Sequence, residues 1–503
     1  MGITLRGPAL YRLMKIVSGL SFCMYGYDAG VLGGMLLHPP FQEAMGNPTG
    51  VWIYPMIVAS YDLAAFVTSI GIAFFTMKIG RRGTVLMGNA VAVVGALIQA
   101  TAYGVPQMIV GRCLTGFAIG CLSSSVPTYL NETGSKIHDR GPALAVTAMY
   151  LIGGVPLAYW IDYGFVHWFS QASWRIPVIL QCCFAIPAGV IMWFLPDTPR
   201  WYYARNRHEE GDATLAQLYD EDVNSAAVQE TKRHILTAIE IELEANSMIR
   251  LRDFLALGVV DKTKLKIIRR LMICFWLPML GEWMGVSLLA YFTPVILSGI
   301  GTSATMVSVL SGVLATCMFL GTIPLYWTIE RWGRRATMLY SAMASSLLFV
   351  VFIILVAVGK STGAQWASVV LLFLIVPVQT YGWQANKFLY SSEIAPLQYR
   401  HIGAAFFSSG EWLMVFITVL ATPIGLETCG WPFWFFILAG NVLAIIFVWL
   451  LCPETAGKTL EQVDYLFVGK ELPGLQKQGA VNVDEIEKDL AKANVEMIDH
   501  ISK

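Results

Sequence analysis

Five charged residues stand out among those inside long apolar stretches of the sequence, where each must have a partner or a function. They are Asp28, Arg112, Glu282, Lys387 and Glu411. Placing an ionisable side chain in the middle of a bilayer costs roughly 2.5–3.5 kcal/mol on insertion scales. These side chains are therefore the first candidates for chemistry in this chain.

Asp28 and Arg112 form one candidate group, in the first and fourth apolar stretches. Burial favours the protonated form of a carboxyl group, and a neighbouring guanidinium favours the ionised form. A pair whose geometry changes could therefore bind and release a proton. A static ion pair that holds two helices together is the alternative.

Glu282, Lys387 and Glu411 form the second candidate group, in the seventh, tenth and eleventh apolar stretches. Lys387 could bind a carboxylate or enolate of a solute, and either glutamate could accept hydrogen bonds from hydroxyl groups. The alternative is a Lys–Glu bridge that neutralises the cavity without touching a solute. Six nearby aromatic residues could offer ring faces to a cyclic solute, namely Trp283, Tyr291, Phe292, Trp383, Phe388 and Trp412.

The apolar stretches that carry these charges predict membrane-spanning helices. Of the 503 residues, 56% are hydrophobic and 14% are charged, against about 25% charged residues in soluble domains. About 20 apolar residues suffice for one crossing. The pattern predicts an all-α membrane protein of twelve helices in two sets of six, near residues 16–38, 52–76, 83–103, 107–128, 143–163, 175–195, 270–298, 304–328, 336–359, 365–391, 402–422 and 431–452.

The breaks between these stretches divide the chain into four parts. Residues 1–196 and 270–452 are predicted to form six-helix bundles. Residues 197–269 are polar and predict a linker in water with short helices, and residues 453–503 form a polar tail. Basic residues cluster on the linker side of the predicted helices, which by the positive-inside rule places both termini in the cytoplasm.

Three motifs occur twice, at equivalent helix ends of the two sets. Gly80-Arg81-Arg82 recurs at Gly333 (333 − 80 = 253), and Pro196-Asp197-Thr198 recurs at Pro453 (453 − 196 = 257). The segment that begins at Glu132 recurs at Glu393 (393 − 132 = 261). Nearly equal offsets indicate a duplicated unit. Transporters built from such repeats bind their solute near the midplane, between the repeats.

Together with Gly26-Tyr27-Asp28, Trp174-Arg175-Ile176-Pro177 and Pro453-Glu454-Thr455-Ala456-Gly457-Lys458, these motifs resemble the sugar porter family of the major facilitator superfamily, in its fungal form. The resemblance implies the two-bundle fold and transport by alternating access. It also implies proton coupling at Asp28 and Arg112. The implied solute-binding residues are Glu282, Ser287, Tyr291, Lys387, Phe388, Glu411 and Trp412, and the implied gating residues are Arg82, Glu132, Arg140, Arg200, Glu330, Arg335, Glu393 and Arg400. Glu132 is expected to pair with Arg200, and Glu393 with Arg335.

The sequence departs from the family pattern at several solute-contacting positions. The paired glutamines and the asparagine of the seventh helix are absent, and charged residues stand at positions that are usually neutral. Because a lysine forms a strong charge-assisted bond to a carboxylate, we expect sugar acids, quinate-like acids or acidic aromatics to rank above glucose. Met77 replaces an expected aspartate in the second helix, whereas the second half keeps Glu330 at the equivalent position.

Composition also limits the other functions. The 34 basic and 34 acidic residues leave no net charge, which argues against a nucleic-acid partner. We find no nucleophile–base set, phosphate loop or metal cluster, so neither an enzyme, a cofactor nor a metal is expected. The leading hypothesis is a monomeric proton symporter in the plasma membrane that carries a sugar, polyol, sugar acid or related hydroxylated acid. Export of a secondary metabolite and a non-transporting nutrient sensor remain as alternatives.

Overall fold

The computed structural model describes residues 5–50, 52–134, 137–246, 266–298, 303–359, 361–395, 399–458, 463 and 466–467. These residues form helices and connecting turns, without a β-strand among them. The first half contains α1 (Gly7–Met35), α2 (Pro39–Ala44), α3 (Ile53–Ile79), α4 (Arg81–Ala100), α5 (Val105–Thr133), α6 (Ile137–Phe165), α7 (Ala172–Leu180) and α8 (Cys182–Phe194). The linker contains α9 (Pro199–Ala204), α10 (His208–Tyr219) and α11 (Ala226–Asn246).

The second half repeats the pattern of the first. It contains α12 (Ile267–Trp283), α13 (Val286–Ser298), α14 (Ala304–Thr322), α15 (Leu325–Trp332), α16 (Arg334–Val358), α17 (Thr362–Gln379), α18 (Ala385–Ile394), α19 (Arg400–Cys429) and α20 (Trp434–Leu451). A π-helical turn, Thr380–Gln384, joins α17 to α18. A 3-10 turn, Trp431–Phe433, precedes α20.

Twelve membrane crossings follow from these helices. Ten helical segments of the described part are long and apolar enough to span a bilayer, and they match every predicted crossing except the first and the fifth. Those two are α1 and α6, each of 29 residues, whose apolar character is reduced by Asp28, Asp162 and several tyrosines and glycines. They pack along each other inside the first bundle. The predicted all-α fold of two six-helix bundles is confirmed.

The two bundles meet along two pairs of helices. The second crossing, α3, packs against the eleventh, α19, and the fifth crossing, α6, packs against the eighth, α14. The second crossing corresponds to the eighth in the other half, and the eleventh corresponds to the fifth. The two contacts are therefore equivalent, as expected for duplicated halves. Helices α1 and α13 also contact each other between the bundles.

Four crossings that the sequence predicts as continuous helices are interrupted, among them the eighth, which is divided between α14 and α15 at Ile323 and Pro324. The seventh is divided into α12 and α13 at Met284 and Gly285, where Gly285 has φ +104°. The carbonyl of Met284 accepts hydrogen bonds from the side-chain amides of Gln379 (2.8 Å) and Asn441 (3.2 Å). Irregular backbone is tolerated inside a membrane protein when its polar groups are satisfied in this way.

The tenth and sixth crossings are interrupted as well. The π-helical turn widens the tenth crossing between α17 and α18, and Gly382 in this turn lies against Ser341 of α16 with no room for a side chain. The sixth crossing changes from α7 to α8 at Gln181. The interruptions in the seventh and tenth crossings adjoin Glu282 and Lys387, two of the charged residues identified in the sequence.

Candidate functional site

A cavity of about 40 Å³ lies between the two bundles. A space of this size holds a few water molecules. Five of the seven predicted solute-binding residues line it, and the exceptions are Lys387 and Phe388. The polar and aromatic side chains of the wall are Tyr25, Glu282, Ser287, Tyr291, Gln384, Glu411 and Trp412.

Asp28 and Arg112 form a fully buried ion pair in the first bundle. The guanidinium Nη1 of Arg112 lies 3.0 Å from Oδ2 of Asp28, and neither side chain has any solvent exposure. The guanidinium also stacks on the ring of Tyr61, 4.3 Å from its centroid. The structure thus brings the predicted pair together in the interior of the first bundle.

Lys387 contacts two carboxylates in the second bundle. Its ammonium group donates to Oε1 of Glu282 and lies 3.0 Å from Oε1 of Glu411. Ser287, just beyond the break between α12 and α13, donates to the other oxygen of Glu282. Lys387 is 1% exposed. This arrangement is the Lys–Glu bridge that the sequence left open as the alternative, and the expected preference for an acidic solute stays a prediction.

Only the acidic members of the two ion pairs occupy equivalent places. Asp28 and Glu282 lie in the first crossing of their respective halves (282 − 28 = 254), an offset close to those of the repeated motifs. Their cationic partners, Arg112 and Lys387, both lie in the fourth crossing of their half, but at different positions along it (387 − 112 = 275). The two halves therefore pair an equivalent acid with a cation at a different position of the fourth crossing.

Aromatic rings separate the two charged groups. The ring of Trp412 lies 5.1 Å from that of Tyr25 and 5.6 Å from that of Tyr61, and its indole N–H donates to Ser123 at 3.2 Å. Trp412 belongs to the second bundle, and these three partners belong to the first. The ring stack therefore joins the bundles next to the cavity.

The other aromatic candidates pack away from the cavity wall. Trp283 and Trp383 donate their indole N–H groups to the carbonyls of Phe436 and Met338. Phe388 packs on Phe407, with 4.4 Å between the ring centroids. The sequence shows that these residues are near the charges, but helix rotation decides which face each one occupies.

Two buried carboxylates, Asp62 and Asp162, are not among the functional residues predicted from the sequence. Asp62 in α3 is fully buried and accepts a hydrogen bond of 3.5 Å from Tyr291 across the bundle interface. Asp162 near the end of α6 is 3% exposed, and neither of its carboxylate oxygens has a hydrogen-bond partner among the described residues. A single charge within an apolar helix, the signal that identified Asp28, would have found both.

The predicted gating residues of the first half lie at the end of the bundle next to the linker, called here the linker face. Arg81 forms an ion pair of 2.9 Å with Glu132, and Thr198 donates to the other carboxylate oxygen at 2.6 Å. Asp197 accepts the backbone N–H groups of Arg81 and Arg82 at the start of α4. This contact joins α4, α5 and the segment after α8, and a carboxylate is favourable at a helix N-terminus.

The second half has the same arrangement. Arg334 forms an ion pair of 2.9 Å with Glu393, and Thr455 donates to the other oxygen of that carboxylate at 2.6 Å. Glu454 accepts the backbone N–H groups of Arg334 and Arg335, as Asp197 does in the first half. Glu330 adds two hydrogen bonds from Arg334, which lower the pKa of Glu330 below its ordinary value.

The structure corrects the pairing that was expected in the second network. The first arginine of each repeat pairs with the glutamate, whereas the guanidinium groups of Arg82 and Arg335 donate to the backbone carbonyls of Trp193 and Trp449. The expected Glu393–Arg335 pair is thus replaced by Glu393–Arg334. Consecutive helical residues point about 100° apart, so only one arginine of each pair faces the glutamate.

The remaining predicted gating residues are described in part. Arg200 adds electrostatic attraction to Glu132 alongside Arg81. The side chains of Arg140 and Arg400 lie outside the described residues. Their predicted role in gating is therefore untested.

The sequence matches known transporter families over nearly its whole length. The profile of the family described as "Sugar (and other) transporter" matches residues 13–467. The chain is 30% identical over 473 residues to the MFS-type transporter oryC of Aspergillus oryzae, covering 92% of this chain and 86% of that protein. It is 26% identical to the sugar transporter STL1 of Saccharomyces cerevisiae (95% and 85% covered) and 27% identical to a probable quinate permease of Aspergillus fumigatus (92% and 88% covered).

Solved structures share the fold. The proton:xylose symporter XylE bound to 6-bromo-6-deoxy-D-glucose has a TM-score of 0.75 and 17% sequence identity, covering 91% of this chain and 99% of that one. A partially occluded, inward-open structure of the xylose transporter XylE from E. coli has a TM-score of 0.73 and 16% identity, with 89% and 99% covered. At this level of identity the likeness establishes the major facilitator fold.

Proposed function

The chain belongs to the sugar transporter family, and from that premise we propose that it is a proton symporter that imports a small polyhydroxylated solute by alternating access. The observation that carries the proposal is the cavity between the bundles, which has a buried acid–base group on either side. A cavity between two repeats, lined by a few polar and aromatic side chains, is where a carrier of this plan binds its solute. The closed form fits the occluded step of such a cycle.

The cavity favours a solute that donates hydrogen bonds. The carboxyl groups of Glu282 and Glu411 offer oxygens that accept hydrogen bonds, and both groups already enclose Lys387. A neutral sugar or polyol can donate hydroxyl hydrogens to carboxylate oxygens, and the ring of Trp412 offers an apolar face. An acidic solute would have to displace a glutamate from Lys387. The preferred order of solutes is therefore neutral sugar or polyol first and sugar acid second, the reverse of the order expected from the sequence.

Proton coupling is assigned to Asp28 with Arg112. When the bundles separate, water reaches the ion pair and the balance between its protonated and ionised forms changes. Coupling requires that only the fully loaded and the empty carrier change conformation. Removing the titrating group at Asp28 should therefore abolish accumulation but leave exchange of solute across the membrane.

The networks at the linker face are proposed to act as gates. Arg81–Glu132 and Arg334–Glu393 each join neighbouring helices at the linker face of one bundle, and these contacts must break when the halves rotate and this face opens. We place this face in the cytoplasm on the distribution of basic residues, and the protein in the plasma membrane as a monomer. The moving units are residues 1–196 and 270–452.

Uptake measurements test the proposal directly. The full chain is expressed in yeast cells that lack their own sugar carriers, and uptake of labelled D-glucose, D-xylose, sorbitol and quinate is measured at pH 5 and pH 7. Neutral solutes should accumulate faster at pH 5, and a protonophore should abolish accumulation. Asp212→Asn, which changes a carboxylate of the linker, is the matched control and should behave as the native protein.

Two results would contradict the proposal. Uptake that equilibrates without accumulation and is insensitive to the protonophore would exclude symport. A best rate with quinate, lost selectively in Lys387→Gln, would restore the preference for acids that was expected from the sequence.

A further inference from the structure

We propose that Asp62 is a second proton-binding carboxylate, which holds a proton while the bundles are closed and is linked through Tyr291 to the solute cavity. Its place in the transport cycle rests on the proposed function. Proton binding at Asp62 is a property of the closed protein that can be measured without any solute.

The charge balance of the buried groups is the first reason. Arg112 acts electrostatically on both Asp28 and Asp62, and the structure pairs that cation directly with Asp28. In the second bundle, Glu282 and Glu411 share Lys387. Each group therefore has one carboxylate more than its cation can neutralise. In a cavity without bulk water, a surplus carboxylate is stabilised by binding a proton.

The surroundings of Asp62 are the second reason. Its side chain is fully buried, Oδ2 has no hydrogen-bond partner among the described residues, and Oδ1 receives one long hydrogen bond of 3.5 Å from Tyr291. An ionised carboxylate buried in a protein is normally held by several strong, short donors. Asp62 lacks such donors, whereas Asp28 has the guanidinium of Arg112 at 3.0 Å.

The position of Asp62 links its proton to the movement of the bundles. The two surplus carboxylates are sequence neighbours of two aromatic residues: Asp62 follows Tyr61, and Glu411 precedes Trp412. The rings of Tyr61 and Trp412 contact each other between α3 and α19, with 5.6 Å between their centroids. This contact must open when the bundles separate, and water then reaches Asp62. Opening would therefore favour release of the proton, and closure would favour its uptake.

Tyr291 connects this site to the solute. Its ring lines the cavity and its hydroxyl donates to Asp62 in the opposite bundle. A solute that draws the hydroxyl of Tyr291 toward itself removes the one hydrogen bond that Asp62 accepts. Solute binding and proton binding at Asp62 would then favour each other. The other ionisable groups that act on Asp62 are Asp28 from α1, Tyr61 from its own helix, Arg112 from α5 and Glu282 from α12.

Infrared spectroscopy can observe this proton. The full chain is reconstituted in phosphatidylcholine vesicles without solute, and difference spectra are recorded while the pH of the perfusing buffer is stepped. Protonated carboxyl groups have a C=O stretching band that is separate from the bands of ionised carboxylates. We expect a titrating band that is lost in Asp62→Asn. The same band should shift in frequency, without loss, in Tyr291→Phe, because the carboxyl group loses its hydrogen bond.

Matched variants make the assignment specific. Glu411→Gln removes the other surplus carboxylate and should remove a different band, and Asp212→Asn in the linker should leave the buried bands unchanged. A titrating band that survives Asp62→Asn, or a Tyr291→Phe spectrum that superimposes on the native one, overturns the proposal. Should Asp62→Asn fail to fold, Tyr291→Phe still decides. If Asp62→Asn loses the titrating band but takes up labelled sugar normally, the role of Asp62 in transport is rejected and the transport function stands. If the native protein shows the expected bands but takes up no labelled sugar, the transport function is rejected and proton binding at Asp62 stands.

Discussion

Replacing Lys387 by methionine tests whether the buried charges are arranged as electrostatic partners. Methionine fills much of the same volume but leaves Glu282 and Glu411 without a cation, and their side chains are only 2% exposed. The folded variant must then bind one more proton than the native protein. Neutralising a carboxyl group with an ordinary pKa of about 4.3 costs roughly 3.7 kcal/mol at pH 7. This figure agrees with the about 3–5 kcal/mol lost when one partner of a buried ion pair is removed.

The same reasoning predicts how the effect changes with pH. The folded variant binds the extra proton and the unfolded chain does not, so the variant gains stability as the pH falls, by about 1.4 kcal/mol per unit. The loss should shrink to roughly 1 kcal/mol at pH 5. The measurement is reversible unfolding in mixed detergent micelles, followed by tryptophan fluorescence at both pH values.

Two matched variants define the result that would refute this reasoning. Lys232→Met removes the lysine of a partly exposed pair with Asp212, at 2.7 Å, and should cost at most about 1 kcal/mol. A triple variant, Lys387→Met with Glu282→Gln and Glu411→Gln, removes the surplus charge and should recover most of the lost stability. If Lys387→Met is no less stable than Lys232→Met at pH 7, or its loss does not change with pH, the buried charges do not depend on one another as described.

Three further changes test other parts of the structure. Asp28→Asn should abolish proton-driven accumulation of labelled sugar in vesicles while solute exchange continues, and accumulation at the native level would move the coupling to another residue. Arg334→Ala leaves Glu393 without its cation and should shift the accessibility of a reporter cysteine at the linker face by about tenfold or more, since hydrogen bonds to charged groups contribute about 1.5–3 kcal/mol. Arg335→Ala should have a smaller effect. Equal effects of the two changes would contradict the pairing in the structure. Gly333→Ala should destabilise the protein by about 1–3 kcal/mol, because Gly333 has φ +85° and ψ 164°, a backbone conformation accessible essentially to glycine alone. Its control in the same unfolding assay is Gly363→Ala, where the added methyl group meets open space.

The glutamate of each linker-face network pairs with the first of two adjacent arginines, and the repeated motifs alone did not predict which arginine this would be. Each repeat contains two adjacent arginines, and the sequence shows that one of them could reach the glutamate of a neighbouring helix. The rotation of α4 and α16 decides that Arg81 and Arg334 do so. Sequence offsets thus identified the equivalent helix ends, but the choice of side chain depended on three-dimensional packing.

The amino-acid sequence was enough to establish the membrane class, the twelve crossings and the duplication, and its resemblance to the sugar porters implied that Asp28 pairs with Arg112. The crossings follow from the cost of exposing apolar runs to water, and the duplication follows from motifs that recur at nearly equal offsets. The tertiary structure alone decided that Gly285 interrupts the seventh crossing, that Lys387 is shared by two glutamates, and that Asp62 meets Tyr291 across the bundle interface. These features depend on which faces of distant helices come together, and the spacing of residues along one chain does not specify that geometry.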